Sequence, residues 1–237
     1  MSTQHRVRRR IVAASVVAVA ALSTTAMVAC EPDAGAASAA ASAVAGHNSG
    51  HDAMRGQRVN KKTQLYTTMR GLWDQHMEWT WSAVVAFASD SPGLQPTIDR
   101  LLRNQSDLGA AIGSFYGEAA GEQATTLLKT HITDAVPVLQ AAKAGDKAAL
   151  DSALAEWQAN AREIADLLSS ANPRRWKKAE MREMMKTHID QTTAYAAKVI
   201  GGDYAGAIAL YDEAQAHMAQ MADMLSAGII AQFPKKF

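Results

Sequence analysis

A single cysteine in 237 residues excludes internal disulfides, zinc ribbons and a CxxCH haem attachment. Prolines number 6, glycines 15, and charged residues make up only 20%, which excludes collagen-like and charge-rich disordered chains. A concentrated basic face is missing too. Arg6, Arg8, Arg9 and Arg10 all fall in the first ten positions, so the chain beyond residue 29 carries 20 basic against 23 acidic residues, a net of −3. That balance argues against a nucleic-acid partner. GxGxxG, a Walker loop, GxSxG and HExxH are all absent, and with them the commonest nucleotide, hydrolase and zinc-protease signatures.

What is present begins with an address. The basic stretch ending in Arg8-Arg9-Arg10, the apolar run from Ile11 to Ala21 and the small residues after it read as an export signal over residues 1–29. Its end, Met27-Val28-Ala29-Cys30, resembles a bacterial lipobox, which makes Cys30 the lipidated first residue of the mature protein. The expected partner is then the membrane, with the protein on the outer face of the cell membrane; an ordinary signal peptide and a secreted protein is the alternative. The paired arginines also resemble a twin-arginine export signal. Residues 30–60 are Ala, Ser and Gly with few large apolar side chains, a composition that cannot offset its ordering entropy and reads as a tether. His47 and His51 within it are read as linker residues.

Residues 61–237 form one all-α domain in this reading. Helices are expected at about 62–89, 97–115, 119–143, 147–170, 175–200 and 204–231, punctuated by Ser91-Pro92-Gly93, Tyr116-Gly117, Gly145-Asp146, Asn172-Pro173 and Gly201-Gly202-Asp203. Short connections between long helices favour a six-helix bundle made of three antiparallel αα-hairpins. The hairpins read as copies of one repeat. Met69-Arg70 precedes His76 and Thr80 with the spacing by which Met181-Arg182 precedes His188 and Thr192. Lys129-Thr130-His131-Ile132 shares four residues with Lys186-Thr187-His188-Ile189. In the even helices Asn104-Gln105-Ser106-Asp107 resembles Asn160-Ala161-Arg162-Glu163, with Asp212-Glu213-Ala214-Gln215 as a weaker third copy.

Helical periodicity puts the histidines on apolar stripes. His76 lies among Leu65, Met69, Leu72, Trp79, Ala83 and Ala86; His131 among Ala124, Leu128, Ala135 and Val138; His188 among Met181, Met185, Thr192, Tyr195 and Val199. Counting from each turn, the polar positions of adjacent helices differ in height by about 3 Å or less. One layer halfway along the bundle is therefore expected, holding His76, His131, His188, Asp107, Glu163 and Asp212, supported by Asn104, Asn160 and Gln215. A dry layer of this kind needs partners. It is a hydrogen-bonded network that sets helix register, a site for a divalent transition metal such as zinc, iron or copper, with a carboxylate as ligand or orienter, or a seat for an organic ligand or haem. A di-iron centre lacks its Glu-x-x-His pairs. Pro137, six residues past His131, would bend the third helix beside the layer.

A second, softer site is conceivable. Met181 and Met185 on helix five face Met218, Met221 and His217 on helix six in the expected hairpin, a donor set suited to copper(I), although the same positions suit core filler. Trp73, Trp79, Trp81 and Trp157 are read as packing residues.

Leu72-Trp73-Asp74-Gln75-His76, Phe115-Tyr116-Gly117, Asn160-Ala161-Arg162-Glu163-Ile164-Ala165, Met221-Ala222-Asp223-Met224-Leu225 and Gln232-Phe233-Pro234 carry a resemblance. Over about 62–233 the chain resembles a family of bacterial secreted or lipid-anchored helical proteins without established activity. Some of its members carry an amino-acid-kinase name. Such chemistry needs a glycine-rich phosphate cradle and an α/β core, neither of which is encoded here. Three functions remain open: a metal-binding lipoprotein for storage, delivery or sensing; a helical interaction or scaffold lipoprotein with an unknown protein partner; and an enzyme using His131 and Glu163 as acid and base. The last requires an open cleft reaching the layer.

Overall fold

A computed structural model describes residues 60–237. The expected export segment 1–29, Cys30 and all but the last residue of the tether lie outside the described residues. Asn60, the first described residue, is a helix N-cap, its Oδ1 accepting from the Lys62 amide at 2.9 Å.

Six helices follow: α1 (Lys61–Ala88), α2 (Leu94–Tyr116), α3 (Glu118–Ala144), α4 (Lys147–Ala171), α5 (Lys178–Ile200) and α6 (Tyr204–Gln232), closed by a short 3-10 turn at Pro234–Lys236. There is no strand among the described residues. Asp146 and Asp203 cap α4 and α6, accepting from Ala149 N and Gly206 N, and Gly145 supplies the left-handed backbone after α3. Two boundaries depart from expectation. α2 begins at Leu94, three residues early, because Pro96 fits the first helical turn, where a missing N–H costs nothing. α5 begins at Lys178, three residues late, because Trp176 is drawn into the core, 1% exposed. Its seat is Gly228 on α6, where any Cβ would come within 2.1 Å of the indole Nε1. Asn172 Nδ2 ties the same turn to Gly228 O at 2.9 Å.

Each helix packs on the next, α6 packs back on α1, and α1, α3 and α5 also touch one another. At one end Lys143 near the end of α3 donates to Phe87 O and to Asp90 beyond α1. At the other, Tyr116 of α2 donates to Gln232 of α6, and Gln232 donates to Ala171 O of α4. The even helices thus end together, opposite the ends of α1 and α3. Between α2 and α3 the backbones nearly touch: a Cβ on Gly121 would lie 2.9 Å from Gly113 Cα and 2.8 Å from Gly109 O. Only glycine fits that crossing.

The buried face of α1 is Leu65, Met69, Trp73, His76, Met77, Ala83 and Val84. Leu72, Trp79 and Ala86 are half-buried, so the stripe turns about one residue past the expected line. On α3 and α5 the stripe residues around the histidines are buried as expected, save Ala135, which is half-buried. α3 continues through Pro137 without a break. Met181, Met185, Met218 and Met221 belong to the main hydrophobic core, where flexible thioethers fill irregular space.

Candidate functional site

The inner surfaces of α1, α3 and α5 bring His76, His131 and His188 together, each 3% exposed or less. The His188 ring centroid lies 5.5 Å from that of His76 and 5.7 Å from that of His131. One nitrogen of each ring, His76 Nε2, His131 Nε2 and His188 Nδ1, is buried with no hydrogen-bond partner. Burial is the first cause of their low basicity. It pushes His76 down to about 3, with repulsion from His131 adding and Gln105 opposing, and His131 down to about 4, against its bond with Asn160. His188 is held well below the ordinary range by burial and then by His76, His131 and His217. At neutral pH the site is three uncharged imidazoles.

Their outer nitrogens are set by the even helices. His131 Nδ1 donates to Asn160 Oδ1 at 2.9 Å, which leaves a lone pair on Nε2. His76 Nδ1 lies 3.3 Å from Gln105 Nε2, which donates more firmly to Leu101 O at 2.9 Å; the Gln105 Oε1 is unpartnered. Each odd helix is also pinned one turn before its histidine. Asn104 Nδ2 donates to Leu72 O at 3.0 Å, Asn160 Nδ2 to Leu127 O at 3.1 Å, and His217 Nε2 to Met184 O at 3.0 Å. Arg70 pairs with Asp223, and Arg182 binds Asp166 through two bonds of 2.7 Å. Asp166 and Asp223 lie six residues after Asn160 and His217 respectively.

These contacts correct the expected layer. Asp107, Glu163 and Asp212 are exposed, on the outer faces of their helices, so no carboxylate joins the histidines. On α6 the donor to the odd-helix carbonyl, the part that Asn104 and Asn160 play on α2 and α4, is His217, not Asp212 or Gln215; Gln215 is half-buried and outside the network. The reason is that α6 meets α5 two residues further along than the turn count suggested. The expected acid–base pair of His131 with exposed Glu163 does not form. Among the described residues no group of three or more His, Cys, Asp and Glu stands ready as a metal cage. His217, half-buried, spends its Nε2 on the Met184 carbonyl rather than on the methionines.

A cavity adjoins the three rings. A chamber of about 310 Å³ opens beside the three histidines and runs between the C-terminal halves of α1, α3 and α5 and the N-terminal parts of α2 and α4. Its walls are aliphatic, from Val84, Leu101, Ile132, Val138 and Leu139 among others, with Phe87 and Trp157. Thr192 and Thr193 line it with hydroxyls that have no partner. Exposed Gln95 and Gln140 mark where it reaches the surface. Apolar stripes do not announce such a space, because the same residues would fill a tighter core.

No helix among the described residues is long and apolar enough to cross a membrane. No protein-family model, curated protein or solved structure matches this chain, so the buried geometry alone carries the functional argument.

Proposed function

We propose that the chain is an exported, Cys30-anchored protein whose His76, His131 and His188 bind a divalent transition metal, for storage, delivery or sensing. The observation that carries this reading is the set of three buried, uncharged imidazoles with three partnerless nitrogens on neighbouring helices. Rings bound at about 2.1 Å to a tetrahedral ion stand with centroids about 5.2 Å apart. The His188 centroid stands 5.5 Å from that of His76 and 5.7 Å from that of His131, both close to that value. His131 already has the support typical of a metal-bound histidine, its far nitrogen donating to Asn160. Imidazole donors suit zinc, iron and copper. With no carboxylate in the set, the fourth ligand is water or hydroxide, and the latter offsets the buried charge.

The recurrence of one contact plan, a histidine flanked by an even-helix donor to the carbonyl four residues before it, also supports descent from a single αα-hairpin repeated three times. That plan favours a second reading as well: a scaffold lipoprotein whose polar layer only sets register. The register bonds, however, use Asn104, Asn160 and His217, and leave the three inward nitrogens unused.

The test is titration of the metal-free full chain with zinc. The proposal expects near-stoichiometric binding, reduced roughly a hundredfold or more by His131→Ala or His188→Ala and about 10- to 100-fold by Asn160→Ala, which removes only the orienting contact. Equal zinc affinity in wild type and these variants would contradict it.

A further inference from the structure

The chamber beside the histidines has properties that a metal site does not require. At about 310 Å³ it is roughly twice the 150 Å³ of a cavity known to take up benzene. It is too small for a helix of a partner protein. From His76 to Phe87 the helical rise gives it a length of about 17 Å. No Lys, Arg, Asp or Glu lines it. Lys143 and Lys198, in the last turns of α3 and α5, are engaged with Asp90 and Asp203. The imidazoles at its inner end are uncharged. An empty space of this size forfeits packing along every wall, a cost that an occupant removes.

We infer that the chamber binds a free, uncharged, elongated small molecule that is mainly hydrocarbon, entering near Gln95 and Gln140 and lying along Val84, Val138 and Leu139. Charge at the inner end of the ligand is rejected, because no Lys, Arg, Asp or Glu lines the chamber and desolvation would go unrepaid. A single hydroxyl is accepted, since Thr192 and Thr193 carry hydroxyls without partners in the same wall. This site is distinct in chemistry from the metal site: it needs no ion, and it stands or falls separately.

The experiment uses the full chain, stripped of metal by a chelator, with decane, 1-decanol, decanoate and dihexanoyl phosphatidylcholine as probes at pH 8. A saturating ligand of this kind raises the melting temperature by about 5 °C or more. That rise is expected with decane and 1-decanol, a smaller one with decanoate, whose carboxylate must stay at the mouth, and none with the phospholipid. Ala83→Leu, which places three more carbons in the chamber, should retain the native circular dichroism and bind 1-decanol at least about tenfold more weakly. The inference is overturned if neither neutral probe shifts the transition, or if Ala83→Leu binds as well as wild type. Stabilisation by decanoate or the phospholipid equal to that by 1-decanol overturns it too. Zinc binding is measured on the same samples, so loss of one site is read independently of the other.

Discussion

Lowering the pH from 7.5 to 5 is expected to remove about 4 kcal/mol of stability through His76 and His131 alone. The sign follows from proton uptake. In the unfolded chain both rings titrate near their ordinary 6.5; in the folded protein burial holds them at about 3 and about 4. Above 6.5 both states are neutral and these groups leave stability unchanged. Below it the unfolded chain takes up protons that the folded bundle refuses, and stability falls until the folded values are reached. His188 is displaced the same way and adds to the loss. The ion-paired carboxylates Asp166, Asp203 and Asp223 are held below their usual range, so their contribution fades at lower pH than this window. Urea unfolding of the metal-free protein at the two pH values reads the effect. A difference under about 1 kcal/mol would mean that the rings are not kept neutral by burial.

Replacing His188 by Leu separates a working site from a structural one. The His188 Nδ1 is buried and unpartnered, and such a group costs about 1–3 kcal/mol. Leucine of similar volume removes that cost, so His188→Leu is expected to stabilise the metal-free protein by about 1–3 kcal/mol while abolishing metal binding. If His188 instead held a hydrogen bond that sets helix register, the same change would destabilise, since that bond would be lost. Denaturant unfolding with and without zinc distinguishes the two: zinc should raise the midpoint of the wild type and leave that of His188→Leu unmoved.

Much of this architecture was legible because helices write themselves at short range. Caps such as Asp146 and Asp203 and the apolar stripes around His131 and His188 fix element type and inward face together. Distances along helices then put the three histidines at one height. What failed was longer-range. Rotation decides whether a polar residue beside a stripe is buried, and α2 and α4 turn Asp107 and Glu163 outward while burying Asn104 and Asn160. A two-residue difference in how α6 meets α5 put His217 where Gln215 was expected. Trp176 was invisible because its seat is the absence of a side chain at Gly228, fifty-two residues away. The chamber was illegible for a deeper reason: periodicity reports which faces are apolar, and says nothing of how closely those faces meet.

The central claim, a metal held by three histidines, is tested most directly by elemental analysis of the untagged full chain purified from its native cells beside the His76→Ala/His131→Ala/His188→Ala variant. The account predicts near-stoichiometric zinc, iron or copper in the wild type and none in the variant. A wild type without metal, or a variant that keeps it, would contradict the account.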